Sequence, residues 1–383
     1  MKKLVFILIS FISILYSQNL YFKYKQITPK SSNKITVLKK KLSNTKSSNI
    51  ISFAQIFHKD DKFLEHIYIV KASKSDVEKL KNELKNDENV EYVSEPISFK
   101  VENSLPNDPG FYKQWYLNKC KILDALDYVP NSNVLVGIID TGIDYNHEDL
   151  QGAFFINPGE TGIDENGNDK RFNGIDDDNN GFIDDYSGYD FVNRFNFTSD
   201  YDFSTPDNNP MDEHGHGTNV AGIISATKNN NIGISGISSN IKLLNIRAFD
   251  KTGNASELDV ALGVIYAIQM GCKVINMSFG DTKYSQLLYD VINYAYSKNV
   301  TIVASAGNSN SFEPHYPSFF QEVISVGASD ENDKKAGFSN YGNRIDIVAP
   351  GTNIYTTDLY NNYTTVSGTS FSTPIVSAIS ALL

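Results

Sequence analysis

The 383-residue chain carries 34 Lys+Arg against 45 Asp+Glu, a net charge of −11, and only two cysteines. That length suits one large domain beside a smaller one, and two cysteines exclude a small disulfide-stapled fold. The charge is divided. Residues 1–100 hold 18 Lys and 10 acidic residues (+8), whereas residues 101–383 hold 16 basic and 35 acidic residues (−19).

In chain order, Lys2 and Lys3 precede an apolar run from Leu4 to Leu15, with Ser17 as a small residue at the cleavage point. This is the pattern of a secretory signal over residues 1–17. The run is too short to span a bilayer comfortably, so no stable membrane insertion is expected once it is removed. The expected location is outside the cytoplasm, extracellular or in the cell envelope (periplasmic). A basic segment can mean nucleic-acid binding. On an exported chain with an acidic body it instead argues for charge complementarity between the two parts, and no nucleic-acid partner is expected.

Residues 18–65 are polar, rich in Lys, Ser and Asn. His66–Val70 then alternates as a strand, Ser75-Asp76-Val77-Glu78 reads as a capping box opening a helix to about Lys85, and Val90–Ile97 reads as a second strand. The result is a β-α-β unit at about 66–97. The turn-rich stretch Ser104–Gly110 marks a boundary, dividing residues 18–104 from a larger domain over 105–383. In that domain, strands are expected at Val134–Ile139, Lys242–Arg247, Val274–Met277, Thr301–Ser305 and Val323–Gly327. Helices are expected at about Thr218–Thr227, Glu257–Met270 and Gln286–Lys298. Apolar strands alternating with helices predict an α/β fold, a largely parallel sheet with helices on both faces, preceded by a small α+β domain. Sites in such sheets form beyond the carboxyl ends of strands, where Asp140 and Asn308 fall.

Three stretches carry an acid, an imidazole and a hydroxyl in the order Asp…His…Ser: Ile138-Ile139-Asp140-Thr141-Gly142, His214-Gly215-His216-Gly217-Thr218 and Gly368-Thr369-Ser370. A serine hydroxyl becomes a nucleophile when an imidazole takes its proton, and a buried carboxylate fixes the tautomer of that imidazole. Asp-Thr-Gly also occurs in aspartic peptidases, whose chemistry needs two carboxylates, and no second Asp-Thr-Gly is present. A zinc site at His214 and His216 lacks a sensibly spaced third ligand, since His147 alone offers none. Cys120 and Cys272 are either a disulfide or two buried thiols, and neither has the context of a cysteine nucleophile.

Residues 144–213 hold 18 acidic against 3 basic residues, −15. Within them Asp176, Asp178, Asn180 and Asp184 place oxygen ligands around a Gly turn, the front half of a calcium loop. Ser187 stands where an EF-hand requires Glu, so the loop is calcium-like without being an EF-hand. The alternative is a solvated acidic loop.

His216-Gly217-Thr218-Asn219-Val220-Ala221-Gly222 and Ser367-Gly368-Thr369-Ser370-Phe371-Ser372-Thr373-Pro374 resemble the base and nucleophile boxes of the subtilisin-like serine peptidases. Val274–Gly280 and Ala304–Asn308 fit further segments of that family, and the likeness runs from about Pro106 to the last residue. The resemblance implies a serine endopeptidase with Asp140, His216 and Ser370 as the triad and Asn308 as an oxyanion donor, acting on polypeptide substrates through an acyl-enzyme. It makes His214 a neighbour without a chemical role. It implies that Ser278-Phe279-Gly280 and Gly253-Asn254-Ala255 flank an extended substrate, and that His315 lies near the base of the main specificity pocket. It also implies Ca²⁺ at Asp108, Asp149 and Asn230. Residues 18–104 resemble the family's propeptides, which act as inhibitors and partners of their own peptidase; the alternative is a permanent structural cap. Only 13 residues follow Ser370, which gives the expectation of a C-terminally truncated peptidase domain. The competing reading is therefore a truncated, non-catalytic, calcium-binding secreted module.

Overall fold

This computed structural model describes residues 17–25, 36, 50–55, 66–97, 105–126, 134–193 and 205–383. The apolar run of the signal segment lies outside the described residues, as do 98–104 at the proposed domain boundary. Among the described residues no helix is long and apolar enough to cross a membrane. The chain divides into two compact units, Met1–Asn103 and Ser104–Leu383.

The first unit is a four-stranded antiparallel sheet of β1 (Ser17–Tyr24), β2 (Ile50–Gln55), β3 (Ile67–Ser73) and β4 (Val90–Ser94), in the order β2-β3-β1-β4, with helix α1 (Lys74–Lys85). The cap and the helix start lie two residues earlier than the Ser75 box predicts. Ser73 is the cap: its Oγ accepts the Asp76 N–H at 3.3 Å, and Asp76 supplies the early acidic charge. Val77, Leu80 and Leu84 recur on one helix face and pack with Leu20, Phe22, Tyr24, Tyr68 and Val70. β1 and β2 fall in the stretch read from sequence as polar and unpatterned.

The second unit is built on a seven-stranded sheet: β5 (Leu135–Asp140), β6 (Gly188–Asp190), β7 (Lys242–Arg247), β8 (Val274–Met277), β9 (Thr301–Ser305), β10 (Val323–Ser329) and β11 (Ile347–Pro350). The spatial order is β11-β10-β9-β8-β5-β7-β6, and every pairing is parallel. Two short helices, α2 (Trp115–Lys119) and α3 (Ile122–Leu126), lead into it. Both faces are apolar because successive side chains point to opposite sides. Ile138, Val274 and Val303 enter one core with α4 (His216–Ser225) and α7 (Thr369–Leu382). Ile139, Ile275 and Ile302 enter the other with α5 (Glu257–Gln269) and α6 (Gln286–Ser297). A separate antiparallel hairpin, β12 (Ile354–Asp358) with β13 (Asn362–Val366), precedes α7.

After β5 the chain runs out to the edge strand β6, returns to insert β7 between β6 and β5, then crosses over to add β8 on the other side of β5. The carboxyl ends of β5 and β8 thus flank the point where the strand order reverses, the place such sheets leave open for a site.

Candidate active site

Asp140 ends β5, opposite Arg247 at the end of β7. Its backbone carbonyl accepts the N–H groups of Ala248 and Phe249 at 2.9 and 3.1 Å, which locks the strand end. The carboxylate is 3% exposed and accepts a hydrogen bond from His216 Nδ1 at 2.7 Å. Because a carboxylate only accepts, Nδ1 carries the proton and Nε2 presents a lone pair. Burial acts to lower the His216 pKa, but the charge and hydrogen bond of Asp140 together with the charge of Asp212 outweigh it, and the imidazole lies above its ordinary value.

His216 is the first residue of α4, and α4 begins close against the end of β5. Gly217 makes this approach possible, since a Cβ there would collide with the Gly142 carbonyl oxygen. The junction is tied by a relay in which Gly217 N–H donates to Thr141 Oγ1 (3.0 Å) and Thr141 Oγ1 donates to Asp212 Oδ1 (2.9 Å). Asp212 also accepts from His214 N and Gly215 N at 2.9 Å each, and from Thr218 N and Oγ1 at 3.0 and 2.7 Å. Sequence reasoning passed over Asp212 as one acid among many. Its position four residues before the helix-opening His was the available signal.

Ser370 sits in the first turn of α7, whose N-cap is Gly368. Ser278 Oγ donates to the Ser370 carbonyl at 2.7 Å, Asn276 Nδ2 donates to Ser278 Oγ at 2.9 Å, and Ser377 Oγ donates to Asn276 Oδ1 at 2.8 Å, joining this helix to β8. The Phe371 ring lies 5.4 Å from the His216 ring, centroid to centroid. Among the described residues Ser370 Oγ and His216 Nε2 share no hydrogen bond, a looseness common in sites without substrate. Asn308 follows β9 closely. Its Oδ1 accepts from Thr369 N and Thr369 Oγ1, both at 2.9 Å, which leaves Nδ2 toward Gly368. The Ser370 N–H has no protein partner among the described residues. Two donors thus remain at a helix N-terminus, the arrangement that receives an oxyanion.

His214 and His216 rings are 6.4 Å apart. His147 is wholly buried elsewhere, its Nδ1 accepting Asp149 N–H and its Nε2 near the Asn362 carbonyl, so no third imidazole joins them. Cys120 and Cys272 are free thiols, each with its pKa raised by burial.

The acidic loop brings Asp176, Asp178 and Asn180 together, the Asn180 N–H reaching Asp176 Oδ1 and Asp178 Oδ1 at 3.1 Å each. Asp176 accepts the Asn180 and Gly181 N–H groups, and Asp184 accepts the Gly174 N–H. Asp178 also joins Glu160 and Asp185, their nearest oxygens all within 4.8 Å of one another, and Asn180 Nδ2 donates to Asp185 at 2.9 Å. Glu160 is fully buried, and its Oε2 has no partner. Desolvation, countered by the Asp177 N–H and assisted by the charges of Asp185, Asp177 and Asp178, lifts its pKa to about 7. An orphaned buried oxygen beside two further carboxylates fits a hard cation, which prefers oxygen ligands. Glu160 and Asp185 were not read from sequence, because neither belongs to the alternating Asp/Asn pattern. Elsewhere, Asp108 accepts Asn229 N and Asn230 N at 3.1 Å, and Asp149 accepts Asn230 Nδ2 at 2.8 Å and Ile234 N at 2.7 Å. These three residues therefore do meet, bridged by Asn230. Burial raises the Asp149 pKa against those hydrogen bonds.

A profile of the subtilase family matches residues 131–383. The chain belongs to the subtilase family. It is 34% identical to thermitase of Thermoactinomyces vulgaris over 73% of this chain and 85% of that protein. It is 36% identical to the thermophilic serine proteinase of Bacillus sp. strain AK1 over 78% of this chain and 64% of that protein. It is 33% identical to subtilisin-like protease 1 of Plasmodium falciparum over 72% of this chain and 41% of that protein. The enzyme class is serine-type endopeptidase, and the seven-stranded parallel sheet is the architecture the family resemblance implies.

Proposed function

We propose that this subtilase is an exported endopeptidase that cleaves polypeptides through an acyl-enzyme, with Ser370 as nucleophile, His216 as base and Asp140 as its orienting carboxylate. The observation that carries the reading is the 2.7 Å Asp140–His216 bond at the end of β5, facing the helix that begins at Thr369. Ser370 Oγ attacks the scissile carbonyl while His216 Nε2 takes its proton. The resulting oxyanion is received by Ser370 N–H and Asn308 Nδ2. His216 then protonates the departing amine, the acyl-enzyme forms, and water repeats the sequence to release the acid.

Residues 1–17 act as the signal and residues 18–104 as a propeptide in this reading. Glu160, Asp178 and Asp185 would hold one Ca²⁺, and Asp108, Asp149 and Asn230 another, each of which would supply positive charge that offsets the carboxylates and stabilises the fold. Asp176, Asn180 and Asp184 shape the first of these sites through the loop backbone. A serine-directed fluorophosphonate should label Ser370, and Ser370→Ala should lower casein hydrolysis by about 10⁶-fold. An unlabelled, folded protein without hydrolysis would favour the non-catalytic calcium-binding module instead.

A further inference from the structure

A cleft of about 770 Å³ opens beside Ser370, bordered by Asn308, Gly280 and Gly307, and His315 forms part of its wall. The imidazole is seated between two glycines. A Cβ on Gly280 would run into His315 Cε1, and a Cβ on Gly307 would come within 2.9 Å of Cδ2. The ring therefore occupies space that any larger residue at either position would take.

The segment bearing His315 is held firmly. Tyr316 and Asp281 exchange backbone hydrogen bonds at 2.8 and 2.9 Å, Phe319 N–H donates to the His315 carbonyl at 2.9 Å, and Ser318 Oγ donates to the same oxygen at 2.7 Å. The ring itself is tied by Nδ1, 3.0 Å from the Ser305 carbonyl. A carbonyl only accepts, so Nδ1 bears the proton, and burial lowers the pKa of the group, keeping the neutral form. Nε2 lies between the two ring carbons that touch the glycines and has no protein partner among the described residues. It is a fixed hydrogen-bond acceptor at the cleft.

From this arrangement we infer that His315 is a specificity-determining residue, selecting substrates whose side chain on the acyl side of the scissile bond ends in an uncharged hydrogen-bond donor, as in Tyr or Gln. The inference rests on the catalytic reading above, because it is Ser370 and Asn308 that make this cleft the one entered by the residue whose carbonyl is attacked. A partnered donor gains one hydrogen bond, whereas an isostere without it leaves Nε2 dry and unpaired, which is the costlier half of the comparison.

The test uses the full chain and two matched pairs of peptide p-nitroanilides that differ only at that residue, Tyr against Phe and Gln against Met. All four side chains are uncharged, so the charges of Glu257, Asp281 and Lys283 at the cleft largely cancel within each pair. The expected kcat/KM ratio is about five- to tenfold in favour of the donor in both pairs, on the scale of one hydrogen bond. His315→Leu should bring both ratios near one; the ratio is read within each enzyme, so a general loss of activity cancels. Should the variant fail to fold, the wild-type ratios decide alone. Turnover with ratios near one in the wild type, or ratios that survive in His315→Leu, overturns this inference and leaves the triad standing. No turnover of any substrate, together with no fluorophosphonate labelling, overturns both.

Discussion

At the end of β5, Asp140, Thr141, Gly217 and Asp212 are fixed by strand pairing, by a glycine contact and by a chain of hydrogen bonds, with two apolar cores beneath them. In the loop of residues 157–185 the carboxylates are held by neighbouring backbone N–H groups and Asn amides, over a small aromatic cluster of Phe182, Tyr189, Phe191 and Tyr266. Both regions concentrate acids. In the first, Asp140 and Asp212 are held by His216, Thr141 and the α4 N–H groups. Although Asp140 Oδ2 has no partner among the described residues, no carboxylate faces it and the geometry follows from the sheet. In the second, like charges face one another, and Glu160 Oε2 has no donor. Hence the first should tolerate the loss of cations, while the second should depend on them.

The strongest break is at the end of β5. Asp140→Asn keeps the size of the side chain but removes the charge that selects the His216 tautomer, and activity should fall by about 10⁴-fold with little change in melting temperature. A large drop in melting temperature instead would mean that Asp140 serves the fold. Next, calcium at one hundred times its dissociation constant should add about 2.7 kcal/mol to stability relative to excess chelator. Calorimetry should show a smaller calcium gain in a Glu160→Gln, Asp185→Asn variant, which keeps the site proposed at Asp108, Asp149 and Asn230, than in the wild type; equal gains would leave a merely solvated loop.

A smaller effect should appear at Asp212. On the proposed mechanism activity needs neutral His216, so kcat/KM should fall as pH drops through the pKa of that group, which Asp140 and Asp212 hold above the usual histidine value. Asp212→Asn removes one of the raising charges. The acid limb should therefore move to lower pH, along with a loss of roughly tenfold in kcat/KM from the loosened α4 junction, the scale of one or two buried hydrogen bonds. An unmoved limb would reduce Asp212 to a helix cap. The mildest expectation concerns the first unit. Residues 18–104 made separately carry a basic excess against the −18 of residues 105–383 (16 basic, 34 acidic), and should inhibit the peptidase more weakly as salt rises. Absence of inhibition at low salt, with the segment folded, would reject the propeptide reading.

Much of this was legible in the chain. Lys242–Arg247, Val274–Met277 and Thr301–Ser305 are strands over the residues their β-branched, apolar runs indicated, because burial on both faces leaves a continuous signal. Asp140, His216, Ser370 and Asn308 stood out because Asp140 closes a strand, Asn308 follows one by three residues, His216 and Ser370 lie in the first turn of helices, and each belongs to a stretch resembling the family. β6 has three residues among Asp and Tyr and offers no period to read. The β12–β13 hairpin is Thr- and Asn-rich, and it is held to α4 by Thr356 and Thr357 hydroxyls on the Asn219 and Thr218 carbonyls, contacts that exist only after folding. Asp212, Glu160 and Asp185 were hidden for the same reason: in sequence each is one more acid in a −15 stretch, and only tertiary partners set it apart.

The relay from Ser377 through Asn276 and Ser278 to the Ser370 carbonyl joins positions 92 to 101 residues apart. Contacts of such separation form late, after the loop between them has been closed. On the proposed assignment, a nascent chain that has reached residue 300 holds Asp140 and His216 but not Ser370, so cutting power would arrive only once the helix beginning at Thr369 has been made and docked.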